Sequence, residues 1–151
     1  MSALVPSMAL AAMTPEMLDR VVRLQDVLLR ADQVDIQTEH MIHAGMYART
    51  VRVPAGVAFT GALIKRATLL IIHGKCNVLL NDGVALVDGY AVLAGGAGRK
   101  QAFVTLSDIE MTMLFPTAAK SVEEAEAEFT DEADMLLSRR QSNETVTITG
   151  E

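Results

Sequence analysis

The 151-residue sequence is poor in the residues on which several classes of protein depend. Its single cysteine, Cys76, excludes an internal disulfide framework and is typical of a reducing compartment. There is no tryptophan, and two tyrosines and four phenylalanines are too few for a base-stacking nucleic-acid surface. No apolar run approaches the roughly 20 residues that span a bilayer. A secretory signal requires basic residues before its apolar region, and the apolar residues 1–13 have none before them. These absences predict a soluble, cytoplasmic protein with neither a membrane nor a nucleic acid as partner.

The sequence does contain enough apolar material for one folded domain. Half of its residues are hydrophobic and 21% are charged, which excludes wholesale disorder. The net charge of −6 is unevenly distributed: residues 1–119 carry ten basic and ten acidic side chains, so the whole excess lies in residues 120–151. Within residues 40–107, seven Lys and Arg side chains accompany only two acidic ones. This basic middle predicts an anionic partner that the overall charge conceals.

Helical patterns occur on both sides of the basic middle. Residues 14–31 have the pattern of an amphipathic helix with Thr14 as its N-cap. Residues 122–138 form a second pattern, begun by the capping box of Ser121 and Glu124, and its acidic face is expected to be solvated. We therefore divide the chain into an N-terminal apolar segment and helix at 1–44, a β region at 45–116, a C-terminal acidic helix at 117–140, and a flexible tail at 141–151.

The β region consists of short apolar or alternating runs separated by turn-forming residues. Asn81-Asp82-Gly83 is a hairpin signal, because these residues tolerate a positive φ. About eight short strands separated by turns are typical of a small barrel or jelly roll. The expected strands are 47–53, 58–64, 69–72, 77–80, 84–87, 90–93, 102–106 and 109–115.

The segment TGALIKRATLLIIHGKCNVLLNDGVALVDGYAVLAGGAGRKQA resembles the double-stranded core of the cupin superfamily. It is similar in particular to the small cupin-like proteins that phages and prophages encode, over about residues 45–115. Gly74 and Gly89 stand where the two cupin motifs place a glycine at a strand turn. The resemblance implies a mainly β fold, a small cupin-like jelly-roll barrel flanked by an N-terminal and a C-terminal α-helix. It also implies a homo-oligomer in the cytoplasm of a host cell.

The positions at which metal-binding cupins place their ligands hold residues that cannot ligate a metal. By resemblance, the glutamate position falls at Ala67, the paired histidines fall within residues 60–63, and the third histidine falls near Lys100. A transition-metal site needs several imidazole or carboxylate donors converging on one point. We therefore predict a metal-free protein with no cofactor and no enzymatic activity.

His40 and His43 are alternative metal ligands, because one helical turn would bring both to the same ion. No third donor accompanies them at a suitable spacing, so local polar contacts are the better interpretation. Cys76 begins an apolar run without a neighbouring histidine, which predicts a buried structural thiol.

Gly95-Gly96-Ala97-Gly98-Arg99-Lys100 is the strongest polar feature of the basic middle. Glycines let backbone N–H groups approach an anion closely, and the two cations supply charge. The alternative is a flexible hairpin loop with solvated charges. Arg49 and Arg52 are an odd number of residues apart, so a regular strand points at most one of them into a barrel mouth. The candidate ligand-binding residues are Arg49, Arg52, Lys65, Arg66, Gly96, Gly98, Arg99 and Lys100.

The sequence leaves two classes of function open. The first is a non-enzymatic, metal-free cupin-like phage protein that binds or sequesters a small anionic ligand, such as a nucleotide or signalling molecule. The alternative is a structural or interaction protein, either a virion component or an inhibitor of a host protein. Six of the nine methionines precede residue 47, and flexible methionine surfaces suit adaptable contacts.

Overall fold

The computed structural model describes residues 2–3 and 9–151. Residue 1 and residues 4–8, part of the predicted apolar N-terminal segment, lie outside the described residues. The fold is 45% strand and 21% helix, which confirms the mainly β prediction. In chain order its elements are β1 (Ser2–Ala3), β2 (Ala9–Leu10), α1 (Pro15–Leu29), β3 (Gln37–His43), β4 (Met46–Val53), β5 (Ala58–Thr60), β6 (Thr68–Leu80), β7 (Gly83–Gly95), β8 (Ala102–Thr105), β9 (Ile109–Pro116), α2 (Val122–Phe129), a 3-10 turn (Ala133–Met135), α3 (Leu137–Arg140) and β10 (Glu144–Ile148).

The described strands form one sheet in the order β1-β7-β6-β9-β4-β3-β10. β2 adds to β7, and the short β5 reaches the sheet through β8, which pairs with β6. Neighbours run antiparallel, except that β1, β2 and β10 join in parallel. The expected closed barrel is wrong: within the described chain the path ends at β1 and β10, which do not pair with each other. The two chain termini thus supply the outer strands of an open sheet.

The longest pairing is the hairpin of β6 and β7, in which Leu80 pairs with Gly83 across the turn. This confirms the hairpin signal in the sequence. Each strand has 13 residues, where the sequence predicted two shorter strands. Gly74 lies opposite Gly89 within the ladder, and both have a positive φ. Glycine adopts this conformation without ending the pairing, so the turns expected here are distortions inside continuous strands.

The core lies on the inner face of the sheet, where β3, β4, β6, β7 and β9 bury roughly alternate residues. Tyr47, Ile72 and Phe115 are among its fully buried side chains. The ring of Phe129 from α2 stacks on that of Tyr47 at 6.2 Å between centroids. Cys76 is buried in the same core, and burial raises the pKa of its thiol to about 11. The prediction of a buried structural thiol is confirmed.

α1 begins at its predicted cap, where the Oγ1 of Thr14 accepts a hydrogen bond from the N–H of Met17. Met17 and Val21 are buried in a cluster that includes Ala102 of β8. The N–H of Thr14 also donates to the Oδ1 of Asn81, which ties α1 to the hairpin turn. Among the helices of the described chain, none has both the length and the apolar character that a membrane crossing requires.

The single helix expected over residues 122–138 does not form. Ser121 caps α2 as predicted, but the helix ends at Phe129. Thr130 is extended, with φ −153 and ψ 150, and its hydroxyl accepts the N–H of Glu132. Threonine competes with helical pairing through such local hydrogen bonds, and the segment continues as a 3-10 turn and the short α3.

The tail that was expected to be flexible forms the edge strand β10. Its residues 144–148 pair in parallel with β3 from Thr38 to Ile42. The start of β10 is held by a buried imidazole: the Nε2 of His40 lies 2.8 Å from the Oε2 of Glu144, and its Nδ1 lies 2.7 Å from the hydroxyl of Tyr47. Burial raises the pKa of Tyr47 to about 12, so its hydroxyl donates to Nδ1 while Nε2–H donates to the carboxylate.

The strand conformation of β3 also separates the two candidate histidine ligands. Residues three apart on a strand point to opposite faces of the sheet. His40 is buried, whereas His43 is exposed and lies 2.7 Å from the hydroxyl of Thr149. The structure thus assigns the two imidazoles to separate polar contacts, because the helical turn that would have joined them is absent from β3.

Candidate functional site

A cavity of about 220 Å³ opens between the inner face of the sheet, the end of α1 and the segment that holds α3. Phe59 of β5 and Phe103 of β8 line it, and their rings stack at 5.0 Å between centroids. Asp32 and Arg140 are exposed where they line the cavity, so they mark its mouth. Its walls are mainly apolar and include Val51, Val53, Leu70, Met111, Met113 and Phe129.

The segment that leads into β8 supplies a row of different groups to this cavity. Arg99, Lys100, Gln101 and Phe103 all line it. Ala102, between them, packs instead into the cluster beneath α1. The backbone at Arg99 is held in an antiparallel bridge with Ile64. One short segment therefore brings two cations, a primary amide and a phenyl ring to the cavity.

Arg99 is 3% exposed. Its Nη1 donates to the carbonyl oxygen of Gly96 and its Nη2 to the Oγ1 of Thr68, both at 2.6 Å. No carboxylate in the described part of the chain lies within ion-pair distance of it. Burial lowers the pKa of Arg99 to about 10, which still leaves it charged at neutral pH. The cavity is therefore lined by a buried cation that no described residue neutralises.

Arg49 and Lys100 also line the cavity, but each has a carboxylate partner. The Nη1 of Arg49 lies 3.3 Å from the Oε2 of Glu126, and the Nζ of Lys100 lies 3.0 Å from the Oε1 of Glu132. Burial opposes ionisation of Glu132, but hydrogen bonds from the N–H of Leu63 and from Lys100 outweigh it and lower the pKa of this carboxyl. These two cations are neutralised within the chain.

Glu126 is a residue of this region that the sequence placed wrongly. It is 2% exposed rather than part of a solvated acidic face. Besides Arg49, it accepts hydrogen bonds from the Nη2 and Nε of Arg139 at 2.9 and 3.0 Å. Its neighbours Glu123 and Glu128 are exposed, so the acidic sequence of α2 carries no signal that one of its glutamates is buried.

Three of the predicted ligand-binding cations lie outside the cavity. Arg49 points inward from β4 and Arg52 outward, as their odd spacing required. The other two cations outside the cavity, Lys65 and Arg66, lie on the segment between β5 and β6. Their partners are Glu39 and Glu110 for Arg52, Asp131 for Lys65, and the ring of Phe115 for Arg66, whose Cζ lies 4.2 Å from the ring centroid.

The predicted glycines of the loop use their N–H groups within the chain. Those of Gly96 and Gly98 donate to backbone carbonyls at 2.7 Å each. The alternative of a solvated loop tipped with charges is wrong, because Arg99 and Lys100 are both buried. This loop therefore contributes Arg99 and Lys100 to the cavity lining, and Arg99 is the one of the two without a carboxylate partner among the described residues.

The donor groups of the cavity do not fit the transition metal that the resemblance to cupins raises. Of its described lining residues, Asp32 at the mouth is the one His, Cys, Asp or Glu side chain. Nowhere in residues 2–3 and 9–151 do three such side chains come together. Arginine and lysine cannot serve as ligands while charged, and they repel a metal cation. The chemistry of this cavity suits an anion.

No protein-family model matches the sequence, and no curated protein matches it. Solved structures with a similar fold include a cupin superfamily protein from Desulfitobacterium hafniense, with a TM-score of 0.46 and 14% identity over 60% of this chain and 85% of that one. A cupin-2 domain containing protein from Shewanella frigidimarina has a TM-score of 0.44 and 12% identity over 66% of this chain and 98% of that one.

A further similar structure is salicylate 1,2-dioxygenase from Pseudoaminobacter salicylatoxidans, with a TM-score of 0.47 and 13% identity over 80% of this chain and 37% of that one. The prediction that the present protein has no enzymatic activity is opposed by this neighbour, whose name is that of an enzyme, and is not retained. Identity at this level shows the fold alone. The structural neighbours of the chain are cupin superfamily proteins.

Proposed function

We propose that the protein binds a small organic anion in the cavity, with Arg99 as its counter-ion. The observation that carries the proposal is a buried guanidinium, charged at neutral pH, that has no carboxylate partner among the described residues. A buried and uncompensated charge costs several kcal/mol. An anion beside Arg99 would offset that cost, while its apolar part would contact the apolar walls.

The cavity volume limits the size of the ligand. An engineered protein cavity of roughly 150 Å³ is large enough for benzene. The cavity of about 220 Å³ therefore accommodates one ring together with a carboxylate. A nucleotide is larger and would have to extend out of the mouth between Asp32 and Arg140. We accordingly propose a ligand smaller than the nucleotide that the sequence suggested.

Isothermal titration with benzoate and benzamide tests the proposal, because the two molecules have nearly the same shape and differ in charge. We expect benzoate to bind the wild type at least about tenfold more tightly, since charge-assisted hydrogen bonds are worth roughly 1.5–3 kcal/mol. In Arg99→Gln this preference should disappear. Lys65→Gln removes a cation that lies outside the cavity and should keep the preference.

Equal affinities of the wild type for benzoate and benzamide would overturn the proposal, as would an undiminished preference in Arg99→Gln. Native mass spectrometry of the purified protein gives a second measurement that needs no substitution. An organic anion that stays bound in the intact protein and is lost from Arg99→Gln supports the proposal, and it identifies the natural ligand.

The biological setting of this binding stays a prediction of the sequence. It comprises an origin in a phage or prophage, a sequestering role in the host cytoplasm, and a homo-oligomeric state. The structural or interaction protein also stays an alternative, and co-purification with a protein would favour it. Light scattering that returns the monomer mass of 16.2 kDa would contradict the homo-oligomer.

A further inference from the structure

We infer that Gln101 selects, among small organic anions, those that also carry a hydroxyl or carbonyl group. This inference rests on the proposed function of the cavity. Gln101 lies two residues from Arg99 on the same wall and is 6% exposed. It was not among the residues predicted from the sequence, because a single glutamine beside a basic pair has no distinctive pattern.

The amide of Gln101 makes no hydrogen bond to any described residue, although its backbone carbonyl accepts the N–H of Gly61 at 2.9 Å. Two side-chain atoms of the described chain are fully enclosed without a partner, the Oγ1 of Thr38 and the Oδ1 of Asn77. The amide of Gln101 is not one of them, so its polar atoms keep access to open space. Since Gln101 lines the cavity and is otherwise buried, we take that space to be the cavity.

A polar group held in an apolar cavity favours a ligand that satisfies it. A primary amide offers one acceptor and two donors, so either a hydroxyl or a carbonyl on the ligand is a suitable partner. Arg99 and Gln101 are separated by one residue, so their Cα atoms are at most roughly 7 Å apart and one ring-sized ligand can contact both side chains.

The aromatic wall defines the part of the ligand between these two groups. The rings of Phe59 and Phe103 stack on each other, 18° from parallel, and both residues belong to the apolar wall of the cavity. Arg49 and Lys100 are neutralised by Glu126 and Glu132, so the described lining leaves one buried positive charge uncompensated. The geometry therefore favours a flat monocarboxylate that carries one hydroxyl or carbonyl on its ring.

Titration of benzoate, 3-hydroxybenzoate and 4-hydroxybenzoate into the wild type and Gln101→Leu tests this inference. We expect one hydroxybenzoate to bind the wild type about five- to tenfold more tightly than benzoate, which is the effect of one buried hydrogen bond. In Gln101→Leu this gain should vanish while benzoate affinity changes less than about twofold. The matched control is Gln37→Leu, the same substitution at an exposed residue of β3 outside the cavity, which should keep the gain.

The outcomes separate this inference from the proposed function. Binding of benzoate without a gain for either hydroxybenzoate, or with a gain that survives in Gln101→Leu, overturns the role of Gln101 and leaves the anion site standing. Failure of all three acids to bind the wild type overturns both. If Gln101→Leu does not fold, Gln101→Glu replaces it: a carboxylate here should weaken benzoate binding at least about tenfold at neutral pH, and unchanged binding overturns the inference.

Discussion

The guanidinium of Arg99 lies directly against the backbone of Gly95. A Cβ at residue 95 would stand 2.5 Å from both the Cζ and the Nη2 of this side chain. Gly95 does not have a positive φ, so the glycine is required here for close approach and not for its conformation. Because Gly95, the last residue of β7, has no side chain, the guanidinium of Arg99 can lie against the backbone of this strand.

Gly95→Ala should therefore disturb the site through Arg99. The methyl group displaces the guanidinium and breaks its bonds to Gly96 and Thr68, so we expect the free energy of unfolding to fall by about 1–3 kcal/mol. Benzoate affinity should fall with it. Urea denaturation and titration measure the two effects. Gly150→Ala is the control, since nothing would lie within 4 Å of its Cβ and the residue is outside the cavity, and equal behaviour of the two variants would contradict the prediction.

Glu126→Ala should be much more destabilising than any other acidic substitution on α2. It leaves Arg49 buried without its carboxylate, and removing one partner of a buried ion pair costs about 3–5 kcal/mol. Glu123→Ala changes an exposed residue of the same helix and should alter the free energy of unfolding by less than about 0.5 kcal/mol. Chemical denaturation compares the two variants. Similar losses in the free energy of unfolding of the two variants would show that the Arg49–Glu126 ion pair does not stabilise the fold.

The features that the sequence predicted correctly depend on a few neighbouring residues. Thr14 and Ser121 cap their helices through bonds to residues three positions on, and the turn at 81–82 closes a hairpin between adjacent strands. These interactions join residues a few positions apart, so a short sequence pattern is enough to predict them. Cys76, at the start of an apolar run, was likewise predicted to be buried, and it is.

The features that the sequence missed depend on contacts between distant segments. The partner of Arg49 is 77 positions away, at Glu126, and the partner of His40 is 104 positions away, at Glu144. Nothing local distinguishes Glu126 from the exposed acids beside it. Whether a set of strands closes into a barrel also depends on which edges meet, and a pattern of alternating residues does not encode strand order.

Amide hydrogen exchange tests the strand that replaced the expected flexible tail. The N–H of Thr38 donates to the carbonyl of Asn143 at 3.0 Å, and the N–H of Ala44 donates to that of Glu151 at 2.8 Å. Both amides should be protected in the full chain and should lose protection when residues 143–151 are deleted. The N–H of Met17, which Thr14 caps in α1, is the internal control and should not change. Fast exchange at Thr38 in the full chain would contradict the pairing.

Stability should fall as the pH is lowered, because of His40. Burial is the main cause that lowers the pKa of this imidazole, and the positive charge of Arg49 lowers it further. The hydrogen bond to Glu144 and the charge of Glu126 raise the pKa but offset this lowering only in part. The folded protein therefore holds His40 neutral at a pH where the unfolded chain, with an ordinary pKa of about 6.5, already binds a proton. Proton uptake by the unfolded state draws the equilibrium toward it as the pH decreases through that window.

We accordingly expect the free energy of unfolding, measured by urea denaturation, to decline between about pH 7.5 and 5.5 in the wild type. In His40→Gln the decline should be smaller, although this variant is less stable at every pH because it loses the bonds to Tyr47 and Glu144. His73→Gln, a substitution of an exposed histidine, controls for the loss of an imidazole and should retain the wild-type slope. Equal slopes in His40→Gln and the wild type would show that His40 binds protons equally in the folded and unfolded states, which the burial of its ring argues against.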